Sequence, residues 1–224
     1  MRLKAIKNIH ATIRLRSGLH IGAGKDSVEI GGLDQPIIKN PVTLEPYIPG
    51  SSLRGKMRSM LETSVYMDNP ETAKAVMEGK PCGCGQKGCH ACAIFGAHST
   101  NTGAGITRLI VRDAVLTEEF SKLFRSGRLP MEIKNENSIN RLKGIAENPR
   151  PLERVPAGVC FDLDMAFRVY EGDDEDLIDD IFKGLKLLEM DAIGGGGSRG
   201  SGQIAIEDIT VDGKKIDLDP IAIF

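Results

Sequence analysis

The stretch from Val159 to Leu188 reads VCFDLDMAFRVY, then EGDDED, then LIDDIFKGLKLL, and two periodicities meet in it. In the first part Val159, Phe161, Leu163, Met165, Phe167 and Val169 alternate with other residues, the period-two signature of a strand with one buried face. In the last part Leu177, Ile178, Ile181, Leu185 and Leu188 recur at helical spacing. The acidic run Asp173 to Asp176 between them suits a helix N-terminus, where the backbone dipole favours negative charge. A long strand therefore hands over directly to an amphipathic helix.

Working outward, a second such unit opens the chain. Ile9, Ala11, Ile13 and Leu15 alternate with His10, Thr12, Arg14 and Arg16, which predicts a half-buried strand. Ser17-Gly18 breaks it, and Leu19-His20-Ile21-Gly22 reads as a short continuation. A loop punctuated by Gly and Pro runs from about Ala23 to Pro49, with Ile37-Ile38 as a short strand inside it. Pro49-Gly50-Ser51-Ser52 then opens a helix, with Ser51 or Ser52 as the expected N-cap and Leu53, Met57 and Leu61 on its buried face. Further on, Thr107 to Val115 reads as a strand and 117–126 as a short helix. Residues 130–157 are polar and carry four prolines, as an irregular excursion or hairpin would. A strand from Gln203 to Ile209 and a turn at Asp212-Gly213 follow. The order β–α–insertion–β–insertion–β–α–β is that of a ferredoxin-like core, an α+β fold, in one domain with large excursions.

The charge is segregated. Lys and Arg number 29 against 31 Asp and Glu, a net −2 that argues against binding nucleic acid by bulk charge. Residues 1–60, however, hold ten basic and four acidic residues, while residues 171–191 hold nine acidic and two basic. This predicts a basic N-terminal face and an acidic helix pointing away from it. Aromatics make up 4% with no Trp, so a stack of aromatics under bases is not expected. No apolar run approaches the ~20 residues of a membrane span, and the N-terminus carries no apolar signal core, so the expectation is a cytoplasmic protein with no membrane contact.

Several motifs can carry chemistry. Cys82, Cys84, Cys89 and Cys92 fall within eleven residues among Gly83, Gly85 and Gly88, which suits a closed tetrahedral zinc site with a structural role. His90 or His98 can replace one thiolate, and free thiols or an iron–sulfur cluster are the alternatives. The stretch Gly194 to Gly202 has six glycines in nine positions around Ser198, Arg199 and Ser201. It follows a helix and precedes a strand, the reverse of a dinucleotide fingerprint. Its backbone N–H groups can cradle a phosphate, and the alternative is a flexible connector. Arg54, Lys56 and Arg58 give the first helix a basic flank, unless they only solvate it. Asp34, in Glu29-Ile-Gly-Gly-Leu-Asp34-Gln-Pro36, is a carboxylate on a Gly/Pro-shaped turn. His20 lies at a strand end where a ligand can reach it, and no Ser–His–Asp or Cys–His arrangement is legible.

Together these pieces form a pattern: Gly18-Leu19-His20-Ile21-Gly22, Gly31-Gly32-Leu33-Asp34-Gln35-Pro36, Pro49-Gly50-Ser51-Ser52-Leu53-Arg54-Gly55-Lys56, the cysteines, Arg154-Val155-Pro156-Ala157-Gly158 and the late glycine loop. From about residue 6 to residue 210 the chain resembles the RAMP superfamily of CRISPR proteins, and more narrowly the repeated backbone subunit of type III-A (Csm) interference complexes. The resemblance implies an RRM-like core with a zinc-bearing insertion at 79–105 and a thumb hairpin at about 125–155. It implies partners: a CRISPR RNA, a target RNA, further copies of the chain in a filament, and other Csm-type subunits. Guide-binding positions map onto His20, Ser51, Ser52, Arg54, Lys56, Arg58 and the loop residues Gly196, Gly197, Ser198, Arg199 and Gly200. The family's endonuclease aspartate maps onto Asp34, and cleavage of target RNA in the family needs a divalent cation, usually Mg2+. The alternative within the same resemblance is a non-catalytic filament subunit. RNA carries its own nucleophile, the 2′-hydroxyl, so one well-placed carboxylate suffices where no larger catalytic cluster is legible.

Overall fold

The computed structural model describes residues 2–24, 35–97, 103–174 and 176–223. Asp34 and His98 lie outside them. The expected core is present. Strand β1 (Leu3–Leu15) starts six residues earlier than the alternation suggests, because its first turns are exposed on both faces and carry no pattern. From Ile9 onward the alternation holds, with Ile9, Ala11, Ile13 and Leu15 buried. Strand β7 (Cys160–Tyr170) pairs antiparallel along the whole of β1, from Leu3↔Tyr170 to Arg14↔Cys160. Strand β8 (Ile204–Val211) pairs on the other side of β1, and Asp212-Gly213 turns into the short β9 (Lys214–Lys215).

The strand expected over Thr107–Val115 is two pieces, β3 (Leu109–Val111) and β4 (Ala114–Leu116), both against β7. The break between them has a purpose. Asp113, in the gap, accepts the N–H of Gly50 at 2.8 Å, the first residue of helix α1 (Gly50–Thr63). The expected cap at Ser51 or Ser52 is thus replaced. Pro49 occupies the N-cap position without a side-chain bond, and the stabilising acceptor comes from a strand end. A Cβ at Gly50 would stand 2.4 Å from the carbonyl oxygen of Val111, so only glycine allows this approach. The two-residue β2 (Tyr47–Ile48) delivers the chain to that point by pairing with β4.

The sheet order is β2-β4-β7-β1-β8-β9, with β3 also on β7. Taking β3 and β4 as one interrupted strand, this is the ferredoxin-like arrangement. Helices α1 and α5 (Leu177–Met190) pack together over it. Gly184 on α5 admits Met57 of α1, since a Cβ there would lie 2.4 Å from Met57 Cγ. Leu53, Met57 and Leu61 meet Leu177, Ile181, Leu185 and Leu188 in the core.

Two helices interrupt the stretch between α1 and β3. Helix α2 (Pro70–Met77) starts at Asn69, whose side chain accepts from the N–H groups of Glu71 and Thr72. Helix α3 (His90–Phe95) begins inside the cysteine cluster. Helix α4 (Glu118–Arg125) matches its expected range closely. The polar excursion is a hairpin, β5 (Glu132–Asn140) with β6 (Ile145–Arg154), a separate two-stranded sheet. No helix among the described residues is long and apolar enough to cross a membrane.

Candidate nucleic-acid interface and metal centre

The four cysteines converge. Cys82 Sγ lies 3.8 Å from Cys89 and 3.9 Å from Cys92, and Cys84 lies 3.8 Å from Cys92. All four sulfurs fall within 4.8 Å of one another. A tetrahedral ion with bonds of about 2.3 Å sets its sulfurs about 3.8 Å apart, so the spacing is that of a zinc cage, and far longer than the ~2.05 Å of a disulfide. Among the described residues this is the one group of three or more His, Cys, Asp or Glu side chains that fits a metal. Without an ion the thiols resist ionisation: burial pushes Cys84 up to about 11, and the neighbouring Cys92 raises Cys89 as well. A dication reverses that preference, because thiolates are its ligands. The N–H groups of Gly85 and Gln86 point at the sulfurs of Cys92 and Cys84, at 3.4 and 3.5 Å.

His90 takes no part in the cage. Its Nδ1 lies 2.7 Å from Asp180 on α5, and Tyr66 and Lys183 bond the same carboxylate at 2.9 and 3.0 Å. The Asp180 hydrogen bond holds His90 above its ordinary pKa. Burial pushes Asp180 up, but the bonds from His90, Lys183 and Tyr66 prevail and hold it below the usual carboxylate range. One acid of the helix expected to face solvent is therefore turned inward.

The basic flank of α1 is split. Lys56 reaches Asp191, at the end of α5, at 2.5 Å. Arg54 turns the other way and bonds the carbonyl of Phe95 at the end of α3, with its guanidinium 5.8 Å from the Phe95 ring centroid. Burial and the nearby Arg58 pull Arg54 below its ordinary value. Arg58, expected among the guide-binding residues, has a side chain only 9% exposed. It pairs with Glu62 at 2.8 Å and donates to the carbonyl of Cys82. Ser51 is exposed and Ser52 half-buried at the start of the helix.

The glycine-rich loop is an ordered turn. A short 3-10 turn, Gly197–Arg199, is flanked by Gly196 at φ 76° and Gly200 at φ 80°. Arg199, Gly200 and Ser201 donate their N–H groups back into it. The N–H groups of Gly197 and Ser198 have no acceptor among the described residues. The loop lies against His20: the N–H of Gly195 donates to the His20 carbonyl at 2.8 Å, and a Cβ at Gly194 would stand 2.3 Å from the same oxygen.

The base of the hairpin closes the group. His20 Nδ1 bonds the carbonyl of Glu153 at 2.8 Å, and Leu19 bridges to Val155. Buried Glu153 accepts from the N–H of Ile37 at 3.0 Å and from Lys39 at 2.6 Å. Arg154 donates to Ser201 in the loop at 3.0 Å and also binds Glu132 at the start of β5. Arg199 meets Glu136 at 3.1 Å, and Lys134 donates to the Arg199 carbonyl at 2.8 Å. Gln35, the first described residue after Asp34, bridges to Leu152. So His20, the glycine loop, the hairpin base and the segment that follows Asp34 form one connected patch. Sequence reasoning missed Glu153 and Arg154 as its fasteners. The signal was a charged pair set between Leu152 and Val155, too apolar a setting for a solvated hairpin.

The model of the RAMP superfamily matches residues 12–205. The chain is 40% identical over 97% of its length to the CRISPR system Cms endoribonuclease Csm3 of Methanothermobacter thermautotrophicus, covering 90% of that protein. It is 38% identical over 89% of its length to the Csm3 of Streptococcus thermophilus, covering 86% of it. A crystal structure of a Csm3-Csm4 subcomplex from a type III-A interference complex aligns with a TM-score of 0.60 at 30% identity, over 94% of this chain and 80% of the other. A subunit of a type III-B complex bound to cognate target RNA aligns with a TM-score of 0.59 at 18% identity, over 92% of this chain and 60% of the other, which shows the shared fold. By these matches, which span both the core and its two excursions, the chain belongs to the RAMP superfamily and within it to the Csm3 family.

Proposed function

We infer that the chain is the RNA-binding backbone subunit of a type III-A effector complex and cuts target RNA paired to the guide. The observation that carries this reading is identity over nearly the full chain to proteins named as CRISPR endoribonucleases. The connected patch supports it. His20, Ser51, Ser52, Arg54, Lys56 and the loop Gly196, Gly197, Ser198, Arg199 and Gly200 are the proposed guide contacts. The N–H groups of Gly197 and Ser198, which have no acceptor among the described residues, suit a phosphate oxygen. Partners on this reading are a CRISPR RNA, a target RNA, further copies of the chain in a filament and other Csm subunits, in the cytoplasm. The chain acts as one domain, with 79–105 as a zinc-bearing insertion and 125–155 as the thumb.

Asp34 is the proposed catalytic residue, with Mg2+ as the divalent cation that steadies charge developing on the phosphate. The protein itself reads backbone and shape, and sequence choice comes from guide–target pairing. The test is labelled target RNA incubated with the assembled complex, with and without Mg2+. Wild type should give evenly spaced cuts that Asp34→Ala abolishes while target binding persists. Cleavage by the variant at the normal rate would remove Asp34 from the reaction. Binding without cuts in the wild type would leave a non-catalytic filament subunit.

A further inference from the structure

The side chains of Arg58 and Glu62 are 9% and 4% exposed, one helical turn apart on α1, and joined at 2.8 Å. A buried ion pair of this kind is a costly device, since hydrophobic residues of similar volume often serve stability equally well. What the pair touches explains its presence. Both members grip the backbone of one residue, Cys82, from its two sides. Glu62 Oε1 accepts the Cys82 N–H at 3.0 Å, and Arg58 Nη2 donates to the Cys82 carbonyl. Cys82 is the first of the four converging thiols and is wholly buried. The other three stand on the Cys84–Cys92 segment, which leads into α3. Cys82 has no such support from its own element. It sits in irregular backbone between α2 and the turn before α3.

We propose that Arg58 and Glu62 are positioning residues of the metal centre, clamping the Cys82 backbone so that its thiolate meets the ion in register with the other three. The charges agree with this. Four thiolates around a dication leave an excess of negative charge. Two arginines of α1 stand against the same insertion, Arg58 on the Cys82 carbonyl and Arg54 on the Phe95 carbonyl. The clamp also fixes the insertion to the helix that begins at Gly50-Ser51-Ser52, so metal loading and the orientation of α1 are linked. On this inference Arg58 serves the metal, and the RNA-facing charge of α1 is left to Arg54 and Lys56.

The test uses the full-length chain stripped of metal and titrated with Co2+ at the thiolate-to-cobalt charge-transfer band, followed by competition with Zn2+. The double variant Arg58→Met with Glu62→Met removes the clamp while filling the buried space. Its metal affinity should fall by about 10–100-fold, the usual effect of losing outer-shell partners. The urea midpoint of the metal-free chain should fall only slightly, because relief of the pair's desolvation offsets much of the loss of partners at the Cys82 N–H and carbonyl. Affinity within twofold of wild type would overturn the clamp. If the double variant does not fold, Arg58→Lys replaces it, keeping the charge and losing the planar fork. A fivefold or greater loss then supports the clamp, and no loss overturns it.

A second arm rests on the RNA-binding reading. Guide affinity is measured against salt for wild type and Arg58→Lys, and for Arg58→Met with Glu62→Met. Loss of one phosphate contact on a single strand reduces the log–log slope by about 0.7. An unchanged slope in the double variant supports the inference, and a reduction of that size returns Arg58 to the RNA and overturns it. Absence of any salt-dependent guide binding by wild type would defeat the RNA reading alone, because the Co2+ titration is independent of it.

Discussion

The two insertions in this sheet are held by opposite means. Among its described residues the cysteine insertion has almost no regular backbone pairing, yet Cys82, Cys89 and Cys92 are buried, and α3 is buried from Ala91 to Phe95. The hairpin has a ladder from Glu132↔Arg154 to Asn140↔Ile145, with one register shift between Glu136 and Ser138, but its outer two-thirds buries nothing. Leu142 at its tip is 99% exposed. An isolated two-stranded ribbon is marginal in water, so the hairpin depends on its base. There Glu153 and Arg154 replace a core with ion pairs and hydrogen bonds. The difference teaches that this fold projects structure in two ways: by folding a loop around a cluster of four cysteines spaced for a metal, and by bolting a ribbon down at one end.

The largest effect should come from taking the ion's ligand away. Structural zinc contributes on the order of 10 kcal/mol of apparent binding free energy in small domains, part of which is folding free energy. Cys82→Ser should therefore cost the insertion its order and lower the thermal midpoint by roughly 10 °C, given about 2–4 °C per kcal/mol for a chain of this size. A strong chelator should reproduce this in wild type and add little to the variant. Hydrogen exchange in the hairpin should stay as it is. A variant as stable as wild type would mean that α3 packs without the metal.

Much of this contrast was legible in the sequence, for reasons that can be stated. Strands β1 and β7 and helix α5 each bury one face, so period and burial coincide, and the order of elements followed. The cysteines declared themselves by spacing. Helix α3 did not, because His-Ala-Cys-Ala-Ile-Phe is apolar nearly all round and has no period to read. Helix α2 was missed despite Asn69-Pro70, a pairing of N-cap residue and first-turn proline that was there to be read. The cap of α1 was misplaced because its acceptor, Asp113, is 63 residues away. Arg58 read as an RNA-facing cation because spacing shows that Glu62 is in reach but not that both are buried. The apolar neighbours Leu152 and Val155 hinted at Glu153 and Arg154, but what they hold could not be read, as with Asp113: their partners, Ile37 and Ser201, are 116 and 47 residues distant.

The hairpin side of the comparison breaks at Glu153. Its two oxygens accept from Ile37 N–H and from Lys39 Nζ, so Glu153→Gln sets an amide N–H2 against one of two donors in either orientation. The expected cost is about 3 kcal/mol by urea unfolding, that of breaking a buried pair from one side. Exchange protection should be lost at Ile37 and along Glu132–Asn140, while Co2+ affinity at the cysteines stays unchanged. Equal loss in both regions would mean that the two insertions are one cooperative unit.

The smallest effect tests the far end of the cysteine insertion, where the two modes of anchoring meet. Arg108 donates to the carbonyls of Ala104 and Ile106 and pairs with Asp173 at 2.7 Å, with Asp173 also accepting the N–H of Tyr170 at 2.8 Å. Burial pushes the Asp173 carboxyl up, but the Arg108 and Tyr170 bonds outweigh it and hold the pKa below the usual carboxylate value. A carboxyl with a depressed folded-state pKa contributes stability that is fully present above its unfolded pKa of about 3.9 and disappears as pH falls through the folded value. Asp173→Asn keeps one oxygen acceptor, loses the charge and turns an amide N–H2 toward an Arg108 or Tyr170 donor, so at pH 7 it should cost about 2 kcal/mol. Below pH 4 the gap should narrow, because wild type protonates Asp173 and gives up the same term. A difference that held constant from pH 7 to pH 3 would assign the loss to packing, and the end of the insertion would then be held by shape and not by the Arg108 pair.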